Sequence, residues 1–203
     1  PFSARTADMG GAFVAIVDDA GVANPAAQTL DNNQDLNTTF YKPTPTLVGD
    51  VFFSFGAYKP LSGLGNLGIN LKYASLDAQR RTHAQGQAPG GFGLELGVSY
   101  GTTLTGTTSV GVTMKLMHEN LVDPGAGMDQ GKGQETTFAG DIGMTWKPSD
   151  RLTLAWALRN VGPNMTFIDA DQADPLPQNF TLELAYYLFQ GKNASVLITG
   201  DVY

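Results

Sequence analysis

The sequence predicts an all-β chain, an up-and-down antiparallel transmembrane β-barrel. Three observations predict it. Apolar and polar positions alternate with period two from about residue 47 onward, the strand signature. The connections between the alternating runs are short and long in strict turn. Aromatic residues stand at the ends of the runs, as in membrane barrels. The composition agrees: 42% hydrophobic against 15% charged residues is enough apolar material to order all 203 positions. The 25 glycines stand well above the usual share of roughly 7%, while the 11 prolines are ordinary, which favours strands and turns over low-complexity sequence.

Eight strands are expected. After a run at about 47–58, Leu67, Ile69, Leu71 and Tyr73 fall on one face against Asn66, Gly68, Asn70 and Lys72 on the other. Phe92, Leu94, Leu96, Val98 and Tyr100 oppose Gly93, Glu95, Gly97 and Ser99. Val110, Val112, Met114 and Leu116 oppose Ser109, Gly111, Thr113 and Lys115, and Phe138, Ile142, Met144 and Trp146 oppose Thr137, Asp141, Gly143 and Thr145. The period holds in Leu152, Leu154, Trp156 and Leu158, again in Phe180, Leu182, Leu184, Tyr186 and Leu188, and in a last run at about 195–203. Short turns lie at 59–65, 101–107, 147–151 and 189–194, and long loops at 74–91, 118–136 and 161–178. Successive hairpin turns emerge at opposite ends of an up-and-down sheet, so the short turns share one end and the long loops the other. Phe92 and Tyr100, like Phe138 and Trp146, lie eight residues apart. At ~3.3 Å per residue and a tilt of ~40° they bracket an apolar band of about 20 Å.

The face opposite the apolar one carries Asp50, Lys72, Glu95, Lys115, Asp141, Arg159, Glu183 and Asp201 among Gly, Ser and Thr. In a membrane barrel such charges line the lumen. Their signs are interleaved, which favours a salt-bridge network over a conduction ring of one sign. A soluble antiparallel sandwich also explains the alternation. It accounts for neither the loop asymmetry nor the aromatic ends.

Residues 1–46 break the pattern. They hold small residues, a Gly10-Gly11 pair, the acids Asp18 and Asp19, and Asn24-Pro25-Ala26, and read as turns or a short helix rather than a spanning strand. An eight-stranded barrel is filled by its own side chains and leaves no room for such a plug. The expected division is therefore a hatch segment at 1–46 inside a barrel whose strands occupy 47–203 and are incomplete. Further strands are expected after Tyr203 and further sequence before Pro1.

Whole classes of function are disfavoured. Twelve basic against nineteen acidic residues, net charge −7, leave no electrostatic footprint for nucleic acid or anionic lipid headgroups. Without cysteine there is no disulfide, thiolate metal site or thiol nucleophile. The longest apolar stretch, Ala12 to Val17, is far shorter than a spanning helix. Gly63-x-Gly65-x-x-Gly68 matches a dinucleotide fingerprint, yet a strand rather than a helix follows it. Asp169, Asp171 and Asp174 miss the spacing of a calcium loop, and His83 and His118 have no spaced second ligand. No catalytic residue, metal site or cofactor is expected.

Met9 to Ala27, MGGAFVAIVDDAGVANPAA, resembles the N-terminal hatch motif of the FadL superfamily of outer-membrane proteins, with its glycine pair, acidic pair and Asn-Pro-Ala. The stretches GNLGINLKY from Gly65 and SVGVTMKLM from Ser109, and above all Leu158 to Leu188, LRNVGPNMTFIDADQADPLPQNFTLELAYYL, resemble the PorV/PorQ branch. That resemblance implies a bacterial outer-membrane barrel of fourteen strands with Gly10, Gly11, Asp18, Asp19, Asn24 and Pro25 in its hatch. It also implies a non-enzymatic partner role in type IX protein secretion or surface assembly. The alternatives are a FadL-like passive transporter of hydrophobic small molecules and a structural barrel in a larger envelope assembly. Implied partners are outer-membrane lipid and protein components of a secretion or envelope complex, with a hydrophobic ligand under the transporter alternative and no nucleic acid.

Overall fold

A computed structural model describes residues 12–16, 23–30, 34–42, 51–75, 90–120, 133–167, 173–191 and 194–202. Nine strands form one antiparallel sheet in simple sequence order. They are β1 Asp35–Tyr41, β2 Val51–Leu61, β3 Gly65–Ser75, β4 Phe92–Thr105, β5 Thr108–Asn120, β6 Gln134–Ser149, β7 Leu152–Val161, β8 Asn179–Gln190 and β9 Ser195–Val202. The sheet is open, with β1 and β9 as its edges. The chain is thus all-β and up-and-down.

Among the described residues the strands number nine rather than the eight expected, and the additional one, β1, lies within residues 1–46. Leu36 and Phe40 alternate with Asn37, Thr39 and Tyr41, and all seven residues pair with β2 from Asp35↔Tyr58 to Tyr41↔Phe52.

The turn chemistry sets the register. Residues 62–64 join β2 to β3, where Gly63 takes φ 73° and Gly65 φ 107°, a left-handed backbone that glycine adopts without a Cβ clash. The Leu64 amide donates to the Leu61 carbonyl at 2.9 Å, and the Tyr100 hydroxyl donates to the Leu64 carbonyl. Residues 106–107 join β4 to β5, and Thr105 Oγ1 accepts from the Thr108 amide at 3.1 Å. Residues 150–151 join β6 to β7. All three tight turns lie at one end of the sheet, opposite the long connections 42–50, 76–91, 121–133 and 162–178.

Burial runs opposite to that of a water-soluble sheet. Along β4, Leu96 and Val98 are about half exposed at 49% and 51%, while Ser99 is buried at 3%. Ile69, Val112, Leu116, Ile142, Leu182 and Leu184 are likewise exposed. Asn66, Asn70, Thr113, Lys115, Asp141, Thr145, Thr181 and Glu183 are buried. Among the described residues, two small apolar clusters lie on the buried face. In one, Phe13–Ile16 pack on Ala155, Ala157 and Ala185, with Leu197 against them. In the other, Met165 and Leu176 of the β7–β8 connection pack on Ala139, flanked by Met117 and Phe167. Met165 and Asp174 exchange backbone hydrogen bonds of 2.8 and 2.7 Å, so this connection folds back on itself over the sheet.

Candidate functional site

The buried face is organised in rows fixed by strand register. One row runs Asn66, Gly101, Gly111, Gly143, Ala157, Thr181 across β3 to β8, and almost every member is small. The next row toward the long connections runs Gly68, Ser99, Thr113, Asp141. The missing side chains of these rows make a trough. Asn24–Thr29, which ends in a 3-10 turn at Ala27–Thr29, lies in it.

Each glycine of the trough marks a close approach. A Cβ on Gly143 would collide with the Asn24 amide, and one on Gly111 with the Pro25 carbonyl carbon and the Ala26 nitrogen. One on Gly101 would stand 2.5 Å from the Pro25 oxygen, and one on Gly68 2.8 Å from Gln28 Oε1. Backbone can lie this near a sheet only where the sheet has no side chains.

Two buried amides clasp the segment. Asn24 Nδ2 donates to the Val14 carbonyl at 2.9 Å and to the Met144 carbonyl of β6 at 3.3 Å, while its Oδ1 accepts from the Ala26 amide at 3.0 Å. The side chain thereby ties together both described N-terminal pieces and the sheet. Gln28 Nε2 donates to the Asn66 carbonyl at 3.1 Å, and Asn66 Nδ2 returns a bond to the Gln28 carbonyl. Ser99 Oγ donates to Gln28 Oε1 at 3.2 Å. Gln28 is fully buried, so each of these polar atoms has exchanged water for a protein partner.

A third anchor is Glu183 of β8. It is 1% exposed, and the Val14 amide donates to its Oε2. Its other oxygen, Oε1, has no hydrogen-bond partner among the described residues. It lies in the row Thr145, Ala155, Glu183, Asp201, opposite a second carboxylate.

Among the described residues, the remaining charges of that face include two ion pairs and a hydrogen-bonded arginine. Lys72 and Glu95 are direct cross-strand partners and meet at 2.8 Å. Lys115 and Asp141 are diagonal neighbours on β5 and β6 and meet at 2.7 Å, with both side chains almost fully buried. A bulge positions the second pair. Between Gly140↔Val161 and Ile142↔Leu158, β7 contributes both Arg159 and Asn160 opposite Asp141 alone. Asn160 takes φ 59°, a left-handed conformation that asparagine tolerates, and its amide donates to Asp141 Oδ1 at 2.8 Å. Its side chain accepts from Lys115 Nζ and donates to the Pro177 carbonyl at 2.9 Å. Arg159 Nη2 donates to Asn179 Oδ1 at 2.5 Å and to Thr181 Oγ1 at 3.2 Å.

Of the residues singled out from sequence, the structure brings Asn24 and Pro25 onto the sheet and gathers Lys72, Glu95, Lys115, Asp141, Arg159 and Glu183 on its buried face. Gly10, Gly11, Asp18, Asp19, Asp50, His83, Asp169 and Asp171 lie outside the described residues. His118 stands beside Phe92, ring centroids 5.5 Å apart, with Nδ1 2.8 Å from Thr136 Oγ1. Asp174 serves a backbone bridge, and Gly65 opens a strand. Among the described residues no three acidic or histidine side chains are grouped to hold a metal. The sequence places Asn66 and Ser99 on the polar face without a site role and gives no role to Gln28, two residues beyond Asn24-Pro25-Ala26, or to Asn160, in the stretch that resembles the PorV/PorQ branch. The chain matches no protein-family model and no curated protein sequence.

Proposed function

We propose that the chain belongs to a bacterial outer-membrane β-barrel of the PorV-like type, a non-enzymatic partner in protein secretion or surface assembly. One observation carries the membrane half of this reading: the sheet exposes its large apolar side chains and buries its charges. Exposed apolar surface on that scale is costly in water and is what lipid covers. Aromatic side chains stand at both levels of the exposed band. Phe40, exposed and paired with Phe53, and Tyr73 with Phe92 lie at the end of the long connections. Tyr100, Trp146 and Tyr186 lie at the end of the tight turns. Such belts mark the two membrane interfaces.

The partner half rests on the resemblance to the PorV/PorQ branch and on the clasped N-terminal segment. A strap fixed through Asn24, Gln28 and Glu183 acts as a hatch that blocks the lumen, which leaves the external loops and rim as the working surface. Transport of a hydrophobic molecule would require the strap to leave a trough in which it is bonded at several points.

The test is affinity capture of the tagged full-length protein from mildly solubilised outer membranes. Co-purification of a very large barrel, or of secreted proteins that share a C-terminal domain, is the expected result. A lone barrel carrying a bound fatty acid would replace the partner reading with the transporter. Absence from the outer-membrane fraction would overturn both.

A further inference from the structure

The β7–β8 connection does not project away from the sheet. Its described arms, residues 162–167 and 173–178, leave Pro163 and Asn164 exposed but turn Met165 and Leu176 inward, each 4% exposed, onto Ala139 and beside Met117. Ala139 and Met117 alternate with the outward residues of β6 and β5 and so stand on the face that buries Lys115 and Asp141. The fit is close: a Cβ on Gly162 would collide with the Phe138 carbonyl oxygen and stand 2.9 Å from Leu176 Cδ1. Successive inward positions of β6 are Ala139 under this connection, Asp141, and Gly143 under the strap, so the two covers sit about 13 Å apart along one strand. Asn160 joins the first cover to the position between them. Its amide donates to Asp141, its side-chain oxygen accepts from Lys115, and its Nδ2 donates to the Pro177 carbonyl at 2.9 Å. The Gly133 amide, at the entry to β6, donates to the Phe167 carbonyl at 3.2 Å.

We propose that these two arms form a lid that closes the lumen from the long-connection end independently of the strap, with Asn160 as its latch. The inference rests on the barrel reading above, under which the buried face lines the lumen. A loop that only projected into water would leave Met165, Leu176 and Ala139 wet. Seating the first two on the third removes their apolar surface from water and covers the mouth of that face. The latch fixes where the lid sits, because lifting Pro177 breaks its bond to Asn160 and lets water reach the Lys115–Asp141 pair. Displacing the strap alone therefore opens no path to the outside, and passage through the lumen needs both covers to move.

The chain has no cysteine, so one introduced thiol reports alone. Ala139→Cys puts it under the lid, and Asn164→Cys puts it on the exposed side of the same arm. Intact cells making the full-length protein are treated with a charged fluorescent maleimide that the outer membrane excludes, and labelling rates are compared. The Asn164→Cys thiol is expected to label freely and the Ala139→Cys thiol to be protected. Met165→Asp combined with Leu176→Asp, which unseats the lid, is expected to speed labelling at position 139 about tenfold. Asn160→Gly, which keeps the left-handed backbone but loses the latch, is expected to speed it about threefold. Gly143→Leu, which fills the trough and displaces the strap, is expected to leave that thiol protected. Each variant is shown to be folded by its different gel mobility boiled and unboiled. A thiol at position 139 that labels freely under the intact lid, stays protected in the folded release variants, or is exposed by Gly143→Leu alone would overturn the lid and leave the barrel reading standing. A folded Asn164→Cys protein that labels only after the cells are broken would remove the membrane reading as well.

Discussion

A methyl group at Gly143 has nowhere to go, because the Asn24 amide already occupies its place. Gly143→Ala is therefore expected to force the strap off the sheet or strain it, at a cost of about 1–3 kcal/mol. Gly106, in the open β4–β5 turn, has nothing near its would-be Cβ, and Gly106→Ala is expected to change stability by no more than about 0.5 kcal/mol. The difference between their urea midpoints in detergent, read by tryptophan fluorescence, checks the pair; equal midpoints would mean the strap is not seated in the trough. Glu183 offers a chemical counterpart. Glu183→Leu strands the Val14 amide in a dry site and is expected to cost about 1–3 kcal/mol, whereas Glu183→Gln keeps an oxygen acceptor and is expected to recover most of it. Limited proteolysis within residues 12–30 is expected to accelerate in the leucine variant and not in the glutamine variant.

Strands act through register, and the β6–β7 bulge shows how. By setting Arg159 and Asn160 both against Asp141, it gives one carboxylate the Asn160 amide as well as the Lys115 ammonium. Lys115→Met leaves Asp141 buried without its cation and is expected to destabilise by about 3–5 kcal/mol. Adding Asp141→Asn removes the orphaned charge while keeping an oxygen for the Asn160 amide, and is expected to restore most of the loss. If the double variant is as unstable as the single, the pair is not the source of the cost. This level also explains what was legible in the sequence. β2 to β9 are strands with two chemically distinct faces, so period two reveals them and places Lys72, Glu95 and Lys115 on one face before any pairing is known. β1 is seven residues in a polar stretch of Asn, Asp and Thr beside the hatch motif, and that composition reads as turn. The partners of the charges depend on register, which the period does not encode. The bulge at Asn160 hides best, since an extra residue breaks the alternation where it does its work. The glycines at 68, 111 and 143 fall on the polar face in the sequence and Gly101 in an expected turn, but that the four align into one trough, and that residues 24–29 fill it, follows only from the pairing.

For the molecule as a whole, the question is which medium touches the exposed face. Water and hydrocarbon give opposite answers to the same substitution. Leu96 is half exposed, midway along β4 between Phe92 and Tyr100 and flanked by Leu71 and Leu116 on its neighbours. An arginine on a water-facing sheet surface would change stability by less than about 0.5 kcal/mol. On the lipid face near the bilayer midplane it costs about 2–4 kcal/mol, a penalty that fades to about 0–1 near the interfaces. Leu104 supplies the shallow control, because it is exposed on the same strand at the tight-turn end, beside Thr105 and Gly106. Leu96→Arg is thus expected to destabilise the vesicle-inserted protein by several times as much as Leu104→Arg. In a detergent with a short, disordered tail that difference is expected to shrink, since the micelle can retract from the guanidinium. Equal and small effects at both positions would assign the exposed leucines to water, and the buried ion pairs would then belong to an inside-out sheet awaiting a protein cover rather than a lipid one.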